Sequence, residues 1–269
     1  MQLRDFFEEI GLLPQAREIA LAYNEKYDHE ALAPLWGKLY SAATREEGLA
    51  ALRETFGKDE DGMKMFVCQS NCALHTHDLY AERGISERVF TDTMKFLSRF
   101  IRTEFENTGK IAYRWGWWFP RQLALLEFRI GQLEYEMLEE DGEKKISIHI
   151  PSDTDLSAGA VQASLEQAHA FFANYFPAYA QCDMYCDSWL LSPALPKLLP
   201  PSSNIIQFSR RFEILHTDED SMAVLDWICP NPNVPLEQLP EKTSLQRAVK
   251  AHLLAGGKIG WTAGRLKRD

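Results

Sequence analysis

The stretch ISIHIPSDTDLSAGAVQASLEQAHAFFANYFP, from Ile146 to Pro177, decides the fold of the second half of this chain. Its three isoleucines at alternate positions predict a strand with one buried face, and Pro151 ends that strand. Ser157 is a favourable N-cap residue, and the apolar side chains after it recur at helical spacing until Pro177. The stretch therefore predicts a strand, a short polar turn and a long helix.

The polar turn in this stretch is a candidate site for a phosphate group, because the first N–H groups of a helix are free to bind an anion. Two aspartates in the turn, Asp153 and Asp155, oppose this interpretation, since their carboxylates repel an anion unless they turn away or cap the helix. The alternative is a helix start whose aspartates accept hydrogen bonds from local N–H groups. The sequence leaves both interpretations open.

The second half of the chain is rich in β-branched and aromatic residues that predict further strands. The predicted strands lie at 111–119, within 125–138, and at 145–150, 182–191, 205–215 and 223–228. A short helix is predicted at 192–199, a proline-rich connection (PNPNVP) at 230–235, a final helix at 244–254, and a last strand after the turn AGGKIG. Asp141-Gly142 predicts an antiparallel hairpin, whereas the strand after the long helix can return parallel to the one before it. This order predicts a mixed sheet.

The first half, up to about residue 107, shows helical periodicity and almost no strand pattern. The predicted helices lie at 16–27, 29–42, 46–56, 63–80 and 87–105. The composition changes near residues 107–112, which predicts a helical domain at 1–108 and a sheet domain at 109–269. The predicted fold class is therefore α+β.

Composition limits the classes of partner. The chain has 269 residues, a formal net charge of -10 and 45% hydrophobic residues. The excess of acidic over basic residues argues against nucleic-acid binding, which usually requires a basic surface. No stretch approaches the roughly 18 apolar residues of a membrane helix, and the acidic start does not resemble a signal peptide. The five cysteines do not suggest a disulfide framework, so we expect a cytoplasmic protein. We expect neither a membrane nor nucleic acid among its partners.

One group of residues has side chains that can ligate zinc: Cys68, Cys72, His75 and His77. Their spacing, C-x3-C-x2-H-x-H, matches no common structural zinc pattern. The alternative is two buried cysteines and two surface histidines, and no metal cofactor is expected.

Three segments carry a resemblance to a known family. They read HIPSD-x-x-LS from His149, CDSWLL-x-P-x-L-x-x-LLP-x-x-SNII-x-F-x-RRF from Cys186, and TSLQRAV-x-x-HLLAGGKIG from Thr243. Together with the predicted element order, they resemble a bacterial family with a helical N-terminal domain and a GNAT-like C-terminal domain, within the GNAT superfamily of N-acyltransferases. The resemblance covers nearly the whole chain.

The resemblance implies an N-acyltransferase that uses acyl-CoA, such as acetyl-CoA, as co-substrate and acylates a small-molecule amine bound between the domains. One alternative is a GNAT-like protein that has lost catalysis and binds a ligand or a partner. Another is a hydrolase or a different transferase that uses His149 and Asp187, although no G-x-S-x-G motif supports it.

The resemblance also implies where the co-substrate binds. The pantetheine arm would pair with the backbone at the end of the strand, and the pyrophosphate would lie on the turn and the first helical turn. The cofactor-binding candidates are Ile148, His149, Ile150, Ser152, Ser157, Ala158 and Gly159. The usual pyrophosphate signature, Gln or Arg followed by two residues, Gly, one residue, and Gly or Ala, is missing here. The acyl-CoA interpretation predicts that the strands open into a V at Ile148 and Asp187, and a fully paired ladder there would contradict it.

Acyl transfer to an amine needs a base for the acceptor and an acid for the leaving thiolate. The tyrosine that often supplies the acid in this superfamily is missing, because residues 192–199 contain none. The catalytic candidates are His149 and Asp187. The alternative for His149 is a hydrogen bond within the sheet or at a seam between domains, and the alternative for Asp187 is an ion pair with Arg210 or Arg211.

Several other side chains near the predicted site are weaker candidates. Cys186, Ser188 and Tyr185 flank Asp187, and Glu134 and Glu136 are expected on a solvated or cleft-facing side of their strand. The aromatic run YRWGWWF at 113–119 could line an apolar acyl pocket or a domain interface, and two arginines, at 114 and 121, flank it and could meet an anion.

Overall fold

The chain folds into two compact units, Met1–Ile130 and Gly131–Asp269. The computed structural model describes residues 1–229 and 234–268. The predicted domain boundary after residue 108 stays a prediction, and the compact units divide at another point, after Ile130. Within the described residues, no helix combines the length and the apolar character that crossing a membrane requires.

The first unit is helical. Its helices are α1 Leu3–Glu9, α2 Pro14–Asn24, α3 Ala33–Trp36, α4 Arg45–Phe56, α5 Met63–Glu82, α6 Glu87–Thr108 and α7 Pro120–Leu123. Strand β1, Glu127–Ile130, ends the unit. Helix α5 is buried over most of its length and contacts α1, α2, α4 and α6, so it forms the centre of this unit. The predicted helices at 16–27, 46–56, 63–80 and 87–105 are confirmed, whereas 29–42 holds only short α3 and a 3-10 turn.

The predicted strand at 111–119 is wrong. The backbone of this segment bonds to the start and middle of α5, since Tyr113 N–H donates to Asp61 O (2.7 Å) and Gln69 Nε2 donates to Gly116 O (2.6 Å). Residues 116–119 then form a turn that Pro120 continues into α7. Tyr113 and Phe119, whose side chains favour a strand, are buried here without one, and Tyr113 packs on Phe66 of α5 with ring centres 5.3 Å apart.

The second unit contains a mixed sheet flanked by helices, which confirms the predicted α+β class. Its elements are β2 Leu133–Glu140, β3 Glu143–His149, α8 Ala158–Tyr175, β4 Met184–Asp187, α9 Asn204–Ser209, β5 Phe212–Asp218, α10 Val224–Ile228, α11 Ser244–Leu254 and β6 Trp261–Leu266. The strands of this unit lie in the order β2-β3-β4-β6-β5, and β3 and β4 are the parallel neighbours. The predicted hairpin turn at Asp141-Gly142 is present, with positive φ at both residues.

Helix α8 covers one face of this sheet. Tyr135 on β2 contacts it twice, because its hydroxyl lies 3.0 Å from Ser164 Oγ and its ring lies 6.4 Å from that of Phe172. Ser164 Oγ also accepts hydrogen bonds from the N–H groups of Gln132 and Leu133, both at 3.2 Å. One hydroxyl therefore joins the middle of α8 to the start of β2.

One predicted strand is helical in its first part, and another is helical over nearly its whole length. The prediction at 205–215 covers α9 and then the start of strand β5, and the prediction at 223–228 covers α10, Val224–Ile228. Short apolar runs satisfy a buried helical turn as well as a strand, so periodicity could not separate the two. The apolar side chains of α9 and α10 pack with those of α11 in a second core.

Some of the remaining elements of the second unit are shorter than predicted, and others agree with the prediction. The predicted strand at 182–191 shortens to β4 followed by a 3-10 turn at Trp189–Leu191, and the predicted helix at 192–199 is a 3-10 turn at Leu195–Lys197. The predicted final helix at 244–254 and the last strand are confirmed as α11 and β6. Most of the predicted connection PNPNVP, residues 230–233, lies outside the described residues.

The Ser164 hydroxyl provides a test of this packing. We expect Ser164→Ala to lower the free energy of unfolding by about 1–3 kcal/mol, because buried N–H groups lose their acceptor. The matched control is Ser147→Ala on β3, where the hydroxyl makes no hydrogen bond to a described residue. Urea unfolding followed by circular dichroism measures both variants, and equal losses would contradict the proposed contact.

Candidate active site at the end of the parallel strands

The parallel strands β3 and β4 end at the same edge of the sheet as the start of α8. Their ladder pairs Ile146 with Met184, Ser147 with Tyr185, and Ile148 with Cys186. Beyond it, Asp187 pairs with Ala263 on β6, on the other side of β4. The ladder is closed at Ile148, so the opening predicted there is not present at that residue, and a separation of the strands could begin only beyond it.

The two faces of these strands differ in chemistry. Ile146, Ile148, Met184 and Cys186 are buried on the face that α8 covers. The alternate residues point to the other face, because side chains alternate along a strand. That face carries Ser147, His149, Tyr185 and Asp187, and the register with β2 adds Glu134 opposite His149 and Glu136 opposite Ser147. The structure therefore brings the two catalytic candidates to one face, one residue beyond the last pair of the ladder.

His149 is hydrogen-bonded within the sheet, as the sequence alternative predicted. Its Nε2 lies 3.0 Å from Oε2 of Glu136, whose side chain is only 6% exposed, compared with 24% for His149. Of the two positions expected for Glu134 and Glu136, the solvated one is wrong, because both residues are buried, and the cleft-facing one stays a prediction. A carboxylate in such a position accepts a hydrogen bond from the Nε2–H group of a neutral imidazole, whose lone pair is then on Nδ1.

Asp187 is exposed, and its carboxylate makes no hydrogen bond or ion pair with another described residue. The predicted ion pair with Arg210 or Arg211 is not formed, since Arg211 instead donates to groups on α8. An exposed carboxylate keeps its hydration and needs no partner, which explains why the strand tolerates it.

The weaker candidates near Asp187 have structural partners. Ser188 Oγ accepts from Leu190 N–H at 3.2 Å, and the ring of Tyr185 lies 6.0 Å from Lys145 Nζ. Cys186 is fully buried, and burial together with the charge of Asp187 raises the pKa of its thiol well above the ordinary value. The Cys186 thiol is therefore protonated at neutral pH and unsuited to act as a nucleophile.

The turn before α8 settles the role of one aspartate. Asp155 accepts hydrogen bonds from the N–H (2.8 Å) and the hydroxyl (2.9 Å) of Ser157, which confirms that it satisfies local donors. Ser157 occupies the predicted N-cap position, but its side chain makes no capping hydrogen bond. Ser152 is exposed in the turn, and Ile150 packs against the second core. The N–H groups of Ala158 and Gly159 consequently remain without an acceptor among the described residues.

Arg211 adds a positive charge at this helix start. Its guanidinium donates to Ala158 O (3.2 Å) and to Gln162 Oε1 (2.8 Å), and no carboxylate of the described residues forms an ion pair with it. A cation at the N-terminus of an 18-residue helix adds to the positive end of the helix dipole. Open N–H groups and a guanidinium together favour a bound anion. Sequence reasoning missed this role, because 49 residues separate Arg211 from Gln162.

The zinc candidates do not form a site. Cys68 and Cys72 are buried on α5, while His75 is exposed and makes an edge-to-face contact with Tyr40, with ring centres 5.3 Å apart. His77 Nε2 lies 2.9 Å from a carboxylate oxygen of Glu87. Buried cysteines and outward-facing histidines were the alternative that the sequence favoured, and the structure confirms it.

The aromatic run forms a cluster on the first unit. Trp117 is 44% exposed and contacts Trp115 and Trp118, with ring centres 5.7 and 5.3 Å apart. The guanidinium of Arg121 lies 4.1 Å above the ring of Trp118, while Arg114 donates to Glu60 O at 2.6 Å. A role for this cluster in binding an acyl chain stays a prediction.

Comparison with protein families finds two matches that together span the chain. Residues 122–266 match a GNAT-like C-terminal domain, and residues 1–125 match an N-acyltransferase N-terminal domain. A comparison with curated proteins found no match.

Comparison with solved structures finds the same fold in three acyltransferase complexes. An acyltransferase in complex with decanoyl-CoA and teicoplanin has a TM-score of 0.80 and 24% identity, with 98% of this chain and 87% of that chain covered. An acyltransferase mutant in complex with octanoyl-CoA has a TM-score of 0.81 and 23% identity, with 99% and 87% covered. An acyltransferase in complex with CoA and 10C-teicoplanin has a TM-score of 0.80 and 23% identity, with 98% and 87% covered.

Thiol labelling tests the burial of the site's cysteine. We expect iodoacetamide at pH 8 to label half-buried Cys182 well before Cys186, because burial keeps the Cys186 thiol protonated and inaccessible. Mass spectrometry of peptides at successive times measures both rates, and a fully unfolded sample is the control. Labelling of Cys186 as fast as Cys182 would indicate a thiolate at the site and contradict this prediction.

Proposed function

Since this chain belongs to the family of proteins with a GNAT-like C-terminal domain, we propose that it transfers an acyl group from acyl-CoA to an amine. The observation that carries the proposal is the open, positively charged start of α8, at the edge of the sheet where β3 and β4 end. The likeness in fold to acyltransferases in complex with acyl-CoA supports it.

The pyrophosphate of the donor would bind at the start of α8. Its negative charges would meet the N–H groups of Ala158 and Gly159, the guanidinium of Arg211, and the exposed Ser152 in the turn. Arg211, which reaches the helix from the segment between α9 and β5, would supply the charge that the missing signature residue provides elsewhere in the superfamily. The carboxylate of Asp155 would repel the pyrophosphate less than a free carboxylate, because it already accepts two hydrogen bonds from Ser157.

The pantetheine arm would run along the end of β3. Ile148 is the last residue of the parallel ladder, so the backbone available to the arm begins at His149 and continues to Ile150. This direction brings the thioester toward the face that carries His149 and Asp187.

The acyl group of the donor is proposed to be longer than acetyl. The solved acyltransferases of this fold were in complex with decanoyl-CoA and octanoyl-CoA, whereas the family resemblance implied acyl-CoA with acetyl-CoA as its example. Two of those complexes include teicoplanin or 10C-teicoplanin, so an amine-bearing small molecule is the proposed class of acceptor. Binding of the acceptor between the domains and a cytoplasmic location stay predictions.

The reaction removes two protons from the ammonium group of the acceptor. An amine is protonated in water near neutral pH, and it attacks only after it loses a proton. His149 would take that proton on Nδ1, and the carboxylate of Asp187 would hold the ammonium group before the proton leaves. The amine nitrogen then forms a bond to the thioester carbon and releases its second proton to solvent as the C–S bond breaks, and the thiolate of CoA takes the proton of the imidazolium.

Kinetics of two variants test these roles. We expect His149→Ala to lower kcat by about 10²–10⁴-fold, the usual contribution of a general base. Asp187→Asn should raise KM for the amine about tenfold or more, because a charge-assisted hydrogen bond is lost. Release of the CoA thiol from octanoyl-CoA, with teicoplanin and simple primary amines as acceptors, measures both.

The control for these variants is His169→Ala, which removes an exposed histidine of α8 that has no hydrogen-bond partner among the described residues. Unchanged kcat in His149→Ala would remove His149 from the chemistry.

Calorimetry tests the binding of the donor. Arg211→Ala should weaken the binding of octanoyl-CoA by about 10–100-fold, since the guanidinium provides charge-assisted hydrogen bonds to phosphate. Arg210→Ala is the matched control, because the side chain of this neighbouring arginine is exposed and makes no hydrogen bond to a described residue. Equal effects of the two substitutions would argue for general charge attraction in place of a specific contact.

A second candidate function is a GNAT-like protein that binds a ligand without catalysis. The missing pyrophosphate signature and the absence of tyrosine from residues 192–199 favour it. Tight binding of acyl-CoA without turnover of any amine would support this alternative. Absence of binding by both acetyl-CoA and octanoyl-CoA would contradict the acyl-CoA proposal itself.

A further inference from the structure

We infer that Glu136 is a positioning residue for His149, which fixes the tautomer and the orientation of the imidazole. This inference rests on the proposed function, because it concerns the histidine that would take the proton of the amine. Glu136 Oε2 lies 3.0 Å from His149 Nε2, on the neighbouring strand and the same face of the sheet. The contact is diagonal, because the residue directly opposite Glu136 is Ser147.

The burial of Glu136 determines which tautomer of His149 this contact favours. The side chain of Glu136 is 6% exposed, so its carboxylate has little water to bind and depends on donors from the protein. The Nε2–H group of His149 is one such donor. If the ring carried its proton on Nδ1 instead, the lone pair of Nε2 would face the carboxylate oxygen. The two would repel each other. The carboxylate therefore favours the tautomer with the proton on Nε2 and the lone pair on Nδ1.

The backbone that carries Glu136 is held in register from its other face. Tyr135, the preceding residue, is buried against α8 through Ser164 and Phe172. A slip of β2 by one residue would exchange its two faces and expose this tyrosine, so the packing of Tyr135 fixes the side on which Glu136 lies. Seven paired positions with β3 then determine how far Glu136 stands from His149.

The consequence for the reaction follows from charge. When His149 takes a proton it becomes an imidazolium, and a carboxylate 3.0 Å away stabilises that charge. In other enzymes that transfer acyl groups a carboxylate likewise orients the histidine that acts as base, there through a hydrogen bond to Nδ1. Glu136 would then act through His149 without contact with the donor or the acceptor.

Substitution of the two buried glutamates of β2 tests this role. Glu136→Gln should lower kcat by about 10–100-fold, the usual loss when a carboxylate that orients a histidine is removed, with KM for octanoyl-CoA unchanged. Glu134→Gln is the matched control, because it removes a buried carboxylate from the same strand and the same face. Equal loss of kcat in both variants would overturn the inference, because it would indicate a general effect of charge or packing.

A double substitution separates positioning from structure. In the His149→Ala background, Glu136→Gln should cause no further loss of kcat, because the residue through which it acts is absent. Additive losses would overturn the inference. If His149→Ala is impaired while Glu136→Gln has the kcat of the wild type, the inference fails and the proposed function stands.

A measurement without turnover keeps the inference testable even if no acceptor is found. Two-bond ¹H–¹⁵N NMR spectra of the full chain at pH 8.5 report which ring nitrogen of His149 carries the proton. We expect protonated Nε2 in the wild type and a mixture of tautomers in Glu136→Gln. A wild-type ring protonated on Nδ1, or identical spectra of folded wild type and variant, would overturn the inference, whereas the absence of acyl-CoA binding would contradict only the proposed function.

Discussion

The parallel pairing of β3 with β4 is the constraint on which the candidate site depends. Two parallel strands cannot be joined by a short turn, so the chain must return along the full length of the sheet before the second strand begins. Helix α8 makes this return, and its 18 residues span about 27 Å at the usual rise of 1.5 Å per residue. The ends of both strands and the start of the helix consequently lie at one edge of the sheet, which is where parallel α/β units usually bind their ligands.

The packing of α8 on the sheet gives this edge its two chemical faces. Tyr135, Ile146 and Ile148 are buried on the side of the helix, and strand alternation sends Glu136 and His149 to the other side. Apolar contacts alone do not fix the position of α8 on the sheet. Ser164 adds a specific contact, because its hydroxyl accepts hydrogen bonds from the backbone at the start of β2. Apolar burial thus supplies most of the driving force, while the hydroxyl of Ser164 fixes where α8 contacts the start of β2.

The charges at this edge are arranged by their exposure to water. Glu136 is buried and is hydrogen-bonded to His149, whereas Asp187 is exposed and needs no partner. Arg211 lies at the positive end of a helix dipole without a carboxylate of the described residues to balance it. An anion bound there would relieve that excess of positive charge, which is why the helix start and the guanidinium are more informative together than either alone.

The amino-acid sequence by itself determined the elements whose signals are local. The alternating isoleucines, Pro151, the N-cap position of Ser157 and the Asp141-Gly142 turn predicted β3, α8 and the hairpin, because each signal acts within a few residues of chain. It also brought His149 and Asp187 forward as candidates, since both residues stand out in apolar strands.

Only the tertiary structure decided which residues meet. Short apolar runs such as 223–228 became helical because they are buried in a core formed by distant segments, and propensity gives no information about those partners. Arg211 reaches Ala158 and Glu136 reaches His149 across 53 and 13 residues of sequence, respectively. Such pairs depend on strand order, register and the path of the chain, and these follow from the balance of burial over the whole fold, which no local pattern contains.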